Sequence, residues 1–204
     1  MPPPHSDDPR VEILDYQAAY RGYFHIDRYT VKHHKHEGGW TPPLMREVME
    51  RGNSVTVLPY DPVRDSVVLI EQFRIGAFAA GMEAWQTEIV AGIVEPGESP
   101  EDVARREAVE EAGCEVRDLE LIGKILMSSG ACTEVCTMFC GRVDAHGVGG
   151  IHGVPEEGED IRATVVPAQS AIAQVESGEI HTGYAIIPLQ WLALNRERLR
   201  QAWS

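Results

Sequence analysis

The sequence predicts a mixed α/β sandwich preceded by a small β region. Three observations carry this expectation. Runs rich in β-branched and apolar residues, SVTVLPY and SVVLIEQF above all, read as strands. Stretches with helical start and stop signals, such as SPEDVARREAVEEAG, lie among them. Turn-forming clusters such as DPVRD separate the elements at short intervals.

In chain order, VEILDYQAAYRG, YFHIDRYTVKHH and TPPLMREVMERG predict short strands separated by turns. Residues 1–50 are therefore expected to form the N-terminal β region, and residues 51–204 the main domain. SVTVLPY and SVVLIEQF follow, joined through DPVRD, and TEIVAGIVEPGES continues in extended form. A helix comes next. Ser99 suits its N-cap, Pro100 its first position and Gly113 its stop. LELIGKILMSSG and TEVCTMFCGRVDA read as strands. The glycine-rich loop GVGGIHGVPEEGED leads to a strand, IRATVVP, and to two helices, AQSAIAQVESG and IIPLQWLALNRERLRQAW.

At 204 residues the chain can bury one well-formed core with a small appendage. Apolar residues at 43% and charged residues at 25% are ordinary for a soluble globular protein. No apolar run reaches membrane-spanning length, and MPPPHSDDPR reads as a polar tail without the apolar core of a signal peptide. The default expectation is a cytoplasmic protein without membrane contacts. A formal net charge of −14 repels a phosphate backbone, so nucleic acid is excluded as a partner. An anionic small molecule fits only where cations or arginines invert the local field. Cys132, Cys136 and Cys140 in CTEVCTMFC lack the usual zinc spacing. On a strand all three share one face, as buried thiols. The HHKHE run (His33, His34, His36) reads as a polar loop rather than a metal site, since no HExxH spacing is present.

The central helix contains a contradiction. Its early acids, Glu101 and Asp102, suit the positive end of the helix and can pair with Arg105 and Arg106. Glu107, Glu110 and Glu111, by contrast, share one face near the negative end. Two carboxylates about 5 Å apart repel by roughly 3 kcal/mol at an effective dielectric of about 20. Arg106 can neutralise one neighbour but not the whole cluster. A solvated acidic face is the ordinary explanation from charge alone.

The wider spacing changes that balance. Gly92, Glu98, Arg106, Glu107, Glu110, Glu111 and Gly113 match G-x5-E-x7-R-E-U-x-E-E-x-G-U. With Ala108 and Cys114 as small residues at the U positions, the stretch resembles the signature of Nudix hydrolases. The resemblance runs over nearly the whole chain, through YRGYF, LIEQFRIGA and GIHGVPEEGEDIRATVV, and is nearest to bacterial ADP-ribose pyrophosphatases. It implies a Nudix α/β/α sandwich and a homodimer formed with the N-terminal β region. The activity it implies is hydrolysis of ADP-ribose to AMP and ribose 5-phosphate, dependent on Mg²⁺ or Mn²⁺.

Residue by residue, the resemblance makes Glu107, Glu111 and the backbone carbonyl of Ala91 metal ligands, with Glu159 as a further metal contact. Glu110 lies at or near the metal, and Arg106 holds the carboxylates in place. Among Glu156, Glu157, Glu159 and Asp160 of the acidic loop, it assigns Glu157 as the general base. Tyr23, Phe24, Arg46 and Glu47 match adenine-contacting positions, so that one subunit completes the other's pocket. Arg51 and Arg74 are candidates for phosphate or ribose contacts, and Ile93, Ser128, Gly130 and Glu134 line the substrate. One departure bears on substrate choice: Ser129 stands where the ADP-ribose group carries proline. The alternatives are another nucleoside diphosphate sugar, such as GDP-mannose, and a nonhydrolytic ADP-ribose sensor, which the complete set of box carboxylates disfavours.

Overall fold

Residues 54–61 and 66–73 are buried almost throughout, on both faces, which is why they read as continuous apolar runs instead of alternating ones. They are the centre of a computed structural model that describes residues 7–203, apart from the side chain of Glu157. The expected polar tail lies largely outside the described residues.

The chain divides into two compact units. The first runs to Gly52 and takes in Leu126–Val135. It contains an antiparallel sheet in the order β1 (Val11–Arg21), β2 (His25–His33), β3 (Leu44–Glu50). Strand β1 is longer than expected, at 11 residues, with two irregularities in its pairing to β2. Such bulges let a long edge strand bend and follow the twist of its neighbour. Residues 131–133 are stitched to β3, where Met49 N donates to Ala131 O at 2.8 Å and Thr133 N to Met49 O at 3.2 Å.

The second unit holds an eight-stranded mixed sheet. In chain order its elements are β4 (Ser54–Asp61), β5 (Ser66–Phe73), α1 (Ile75–Ala79), β6 (Trp85–Glu88), β7 (Val90–Ile93) and α2 (Pro100–Ala112). There follow β8 (Leu119–Leu126), β9 (Val135–Arg142), β10 (Gly150–His152), a 3-10 turn (Pro155–Glu157), β11 (Ile161–Pro167), α3 (Ala168–Ser177) and α4 (Gly183–Trp203). The spatial order is β10-β11-β5-β4-β9-β8, with β6 pairing to β5 and β7 to β4. Only the β4–β9 pairing is parallel among the registers given by the described residues.

Alternation along β4 and β5 builds two cores. Val55, Val57, Val68 and Ile70 face Val103, Ala104, Ala108 and Ala112 of α2. Leu58, Tyr60, Val67 and Leu69 face Ala168 and Ala171 of α3 and Leu189, Leu192 and Leu199 of α4. The result is the expected sandwich of helix, sheet and helix. Each fully buried Val or Leu contributes roughly 1.5–3 kcal/mol. Across the second core, Asp65 in the β4–β5 turn accepts hydrogen bonds from Tyr60 Oη (2.8 Å) and Arg196 Nε (2.7 Å), tying α4 to the turn.

Several expectations need correction. Cys136 and Cys140 are buried on β9, but Cys132 lies before that strand, half-buried, in an isolated bridge to Met49. The first unit's claim on residues 126–135 pulls it off the line of the other two. The Glu101–Arg105 and Asp102–Arg106 pairs are not made. Arg105 turns to the carbonyls of Val116 and Arg117, and Arg106 turns to other acids. The short helix α1, unanticipated, has no side-chain cap and no buried residue. The glycine-rich loop contains a strand, β10, because His152 and Gly150 pair with β11. No described helix is long and apolar enough to cross a membrane.

Candidate active site

Helix α2 places its acids through its caps. Ser99 Oγ accepts from Asp102 N at 3.2 Å, and Pro100 opens the first turn. At the other end Gly113 adopts φ 62°, in the left-handed region, so that its N–H bonds to Val109 O while Cys114 N bonds to Ala108 O. A Cβ at position 113 would also stand 2.5 Å from His152 Cε1. The small residues Ala108 and Cys114 both pack in the core between α2 and the sheet.

The buried stripe of α2 is Val103, Ala104, Ala108, Glu111 and Ala112. A carboxylate thus occupies a position where helical spacing asks for an apolar residue. Glu111 is only 3% exposed and accepts a hydrogen bond from Ala91 N at 2.9 Å. Burial pushes its carboxyl up to about 8, with Glu107 and Glu159 adding repulsion and the Ala91 bond and Arg74 opposing. Burial likewise raises Glu107 to about 7, against Arg106, while Glu110 and Glu159 push in the same direction as burial.

Arg106 does more than the sequence suggested. It reaches Glu98 (3.1 Å), Glu107 (2.8 Å) and Glu110 (2.9 Å) together. Among the described residues, Glu111 has no such ion pair. Gly92 is required by packing: a Cβ there would overlap the Glu107 carboxylate. The acidic loop is tied to the same helix by Gly153 N, which donates to Glu110 O at 3.0 Å, and is braced internally by Val154 N, which donates to Glu159 Oε2 at 3.0 Å. The first of these bonds satisfies a carbonyl near the helix end.

This arrangement of glycine, arginine and glutamates decides the family, since the profile of the NUDIX domain matches residues 50–183. The chain belongs to the Nudix family. It is 44% identical to the ADP-ribose pyrophosphatase of Escherichia coli strain K12 over 194 residues, 95% of this chain and 93% of that one. It is 42% identical to the ADP-ribose pyrophosphatase of Haemophilus influenzae over 203 residues, 98% of this chain and 94% of the relative. A GDP-mannose pyrophosphatase of Citrobacter koseri is 36% identical over 152 residues, 72% of this chain and 76% of that one. Nudix enzymes of this kind generally depend on a divalent metal.

Among the described residues no three His, Cys, Asp or Glu close into a ready-made cage. The donors still suit a hard cation. Glu107 and Glu111 offer carboxylate oxygens that repel each other and Glu159. Magnesium commonly takes one or two carboxylates and completes its shell with water and substrate phosphate.

The remaining predicted positions fall in both units. In the second, Arg74 at the end of β5 donates to Glu88, and Ile93 on β7 is 41% exposed opposite Ser54. In the first, Tyr23 (85% exposed) and Phe24 form an edge-to-face pair at 4.9 Å. The Arg51 guanidinium lies 6.0 Å from the Phe24 ring and 3.3 Å from the buried Glu134 carboxylate. These four therefore form one cluster. Arg46 and Glu47 lie on neighbouring positions of β3, Arg46 exposed and Glu47 held by Arg28 at 2.6 Å. Ser128 O accepts from Ala131 N and Cys132 N, so the turn closes without proline at Ser129, and a Cβ at Gly130 would meet open space.

The surroundings of Glu88 and Glu98 are not apparent from the sequence. Glu98 was legible as a motif position but not as an Arg106 partner. Glu88 is buried beside Gln86 on one face of β6, a period-two pairing of polar residues visible in WQTE. The side chain of Glu157 lies outside the described residues.

Proposed function

We propose that the chain hydrolyses the pyrophosphate of ADP-ribose, giving AMP and ribose 5-phosphate, with Mg²⁺ as its ion and Mn²⁺ as a substitute. The observation that carries this reading is Glu111: a carboxylate buried on the apolar stripe of α2, facing Glu107 and Glu159, with no cationic side chain paired to it among the described residues. A charge so placed is costly unless a partner arrives.

Glu107, Glu111, Glu159 and the Ala91 carbonyl would hold the ion. When bound, it supplies positive charge against the phosphate oxygens and lowers the pKa of a bound water. Glu157, on the loop anchored through Gly153, takes the proton from the attacking water as the new P–O bond forms and the bridging P–O bond breaks. Arg106 keeps Glu107 and Glu110 in register. Arg74 and Arg51 bind phosphate or ribose oxygens, where a planar guanidinium matches two acceptors at once. Tyr23, Phe24, Arg46 and Glu47 receive the adenine, with Ile93, Ser128, Gly130 and Glu134 lining the remainder. The working species is a homodimer.

GDP-mannose is the second reading, favoured by Ser129 in place of proline and by the 36% identical relative that carries that name. A panel of nucleoside diphosphate sugars with Mg²⁺, analysed by mass spectrometry in ¹⁸O-labelled water, tests both. AMP and ribose 5-phosphate formed fastest, with label on one of them, is the expected result. GDP-mannose hydrolysed an order of magnitude faster overturns the substrate assignment.

A further inference from the structure

Arg74 is tethered by a residue that has no place in the catalytic scheme above. Its Nε and Nη2 both approach Glu88 Oε2 at 2.8 Å. Gln72 Nε2 donates to the same oxygen at 3.5 Å. The two partners differ sharply in exposure: the Glu88 side chain is 5% exposed and that of Arg74 is 41%. The acid is thus sunk in the protein while the guanidinium stands at the surface. The backbone supports the geometry from both sides. Glu88 is paired with Ile70 in the β5–β6 ladder, and Arg74 N donates to Ala84 O at 2.7 Å at the opening of β6.

A buried ion pair of this sort is a poor source of stability, because desolvating the acid offsets the attraction. Its effect is orientation. With one edge of the guanidinium committed to Glu88, rotation about the last bonds of Arg74 is arrested.

We infer that Glu88 is a positioning residue, which holds the Arg74 guanidinium so that its remaining donors meet the pyrophosphate oxygens of the substrate. This rests on the reading of Arg74 as a phosphate contact, and it extends that reading to a buried acid on β6, the strand paired with β5. Gln72 completes the device as a neutral donor that keeps the Glu88 oxygen in place.

The test is a double-substitution cycle with magnesium pyrophosphate as the probe, which all nucleoside diphosphate sugars share. Dissociation constants are measured by calorimetry for the full chain, Arg74→Ala, Glu88→Ala and the double variant. Each single change is expected to weaken binding about tenfold, and the double variant to bind no worse than Arg74→Ala alone. Should Glu88→Ala not fold, Glu88→Gln takes its place, with an intermediate loss because its amide oxygen still accepts. Thermal melting of each variant runs in parallel, since a merely structural acid would lower the melting temperature and leave the cycle additive. Losses that multiply in the double variant overturn the inference, as do normal binding by Glu88→Ala and a native chain that takes up no magnesium pyrophosphate. Failure to release AMP from ADP-ribose, with the cycle intact, would instead overturn the substrate reading and leave Glu88 in its role.

Discussion

The Glu107 carboxylate lies directly over the Gly92 backbone, in space that any side chain at position 92 would occupy. Gly92→Ala is therefore expected to push Glu107 aside without disturbing the caps of α2. A displacement on the scale of an ångström costs about a hundredfold in rate. Steady-state turnover of ADP-ribose, alongside thermal melting, measures it. A variant with native turnover would show that Glu107 tolerates displacement.

Glu111 and Glu107 make the metal-free fold sensitive to pH. Their folded values, about 8 and about 7, lie above the ordinary glutamate value of 4.5. The protonated forms are therefore favoured by folding. The stability they contribute is complete below about 4.5, and is lost as pH rises through 7 and then 8. Chemical denaturation in chelator should show that decline, and added magnesium should reverse it at the alkaline end by binding only the folded form.

Glu111→Gln separates charge from shape. The amide keeps the volume and can still accept from Ala91 N, so the fold should survive and lose most of its alkaline instability. Turnover should vanish. Denaturation curves at two pH values and an activity assay distinguish this from simple unfolding.

Arg106 answers three acids at once, at 3.1, 2.8 and 2.9 Å. Arg106→Lys keeps the charge but not the fork, and a point charge on a flexible stem cannot serve all three. The expected outcome is a fall in kcat of about tenfold or more, with a higher magnesium requirement. Kinetics across a magnesium titration would reveal it.

Glu157→Gln should lower kcat by about 10² to 10⁴-fold, the usual contribution of a general base, while metal affinity stays nearly native. Manganese binding followed by electron paramagnetic resonance, set beside kcat, checks both halves. Native kcat removes Glu157 from the base role.

How far these features could be read in advance depended on their range. Strands β4 and β5 and helix α2 were legible because their signals are local: apolar runs, a serine cap, a proline and a glycine a fixed number of residues apart. Cys132 was misplaced because its strand-like neighbours compete with a bridge to Met49, far away in the chain. Helix α1 is only five residues long, has no side-chain cap bond and buries none of its residues, so nothing announces it. The Arg105 side chain leaves its helix for the carbonyls of Val116 and Arg117, a choice open only once the chain has turned after Gly113.

The candidate site divides in the same way. The sandwich class, the identity of the acids on α2 and their crowding follow from local sequence, since 3.6 residues per turn bring positions 107 and 111 together in any helix. The burial of Glu111, the half-exposure of Glu110, the capture of Glu98 from the preceding loop by Arg106 and the anchoring of Arg74 by Glu88 emerge only once the chain has packed. The reason is physical. Spacing along a helix is set by covalent geometry, whereas burial and ion pairing depend on which distant strand the helix packs against.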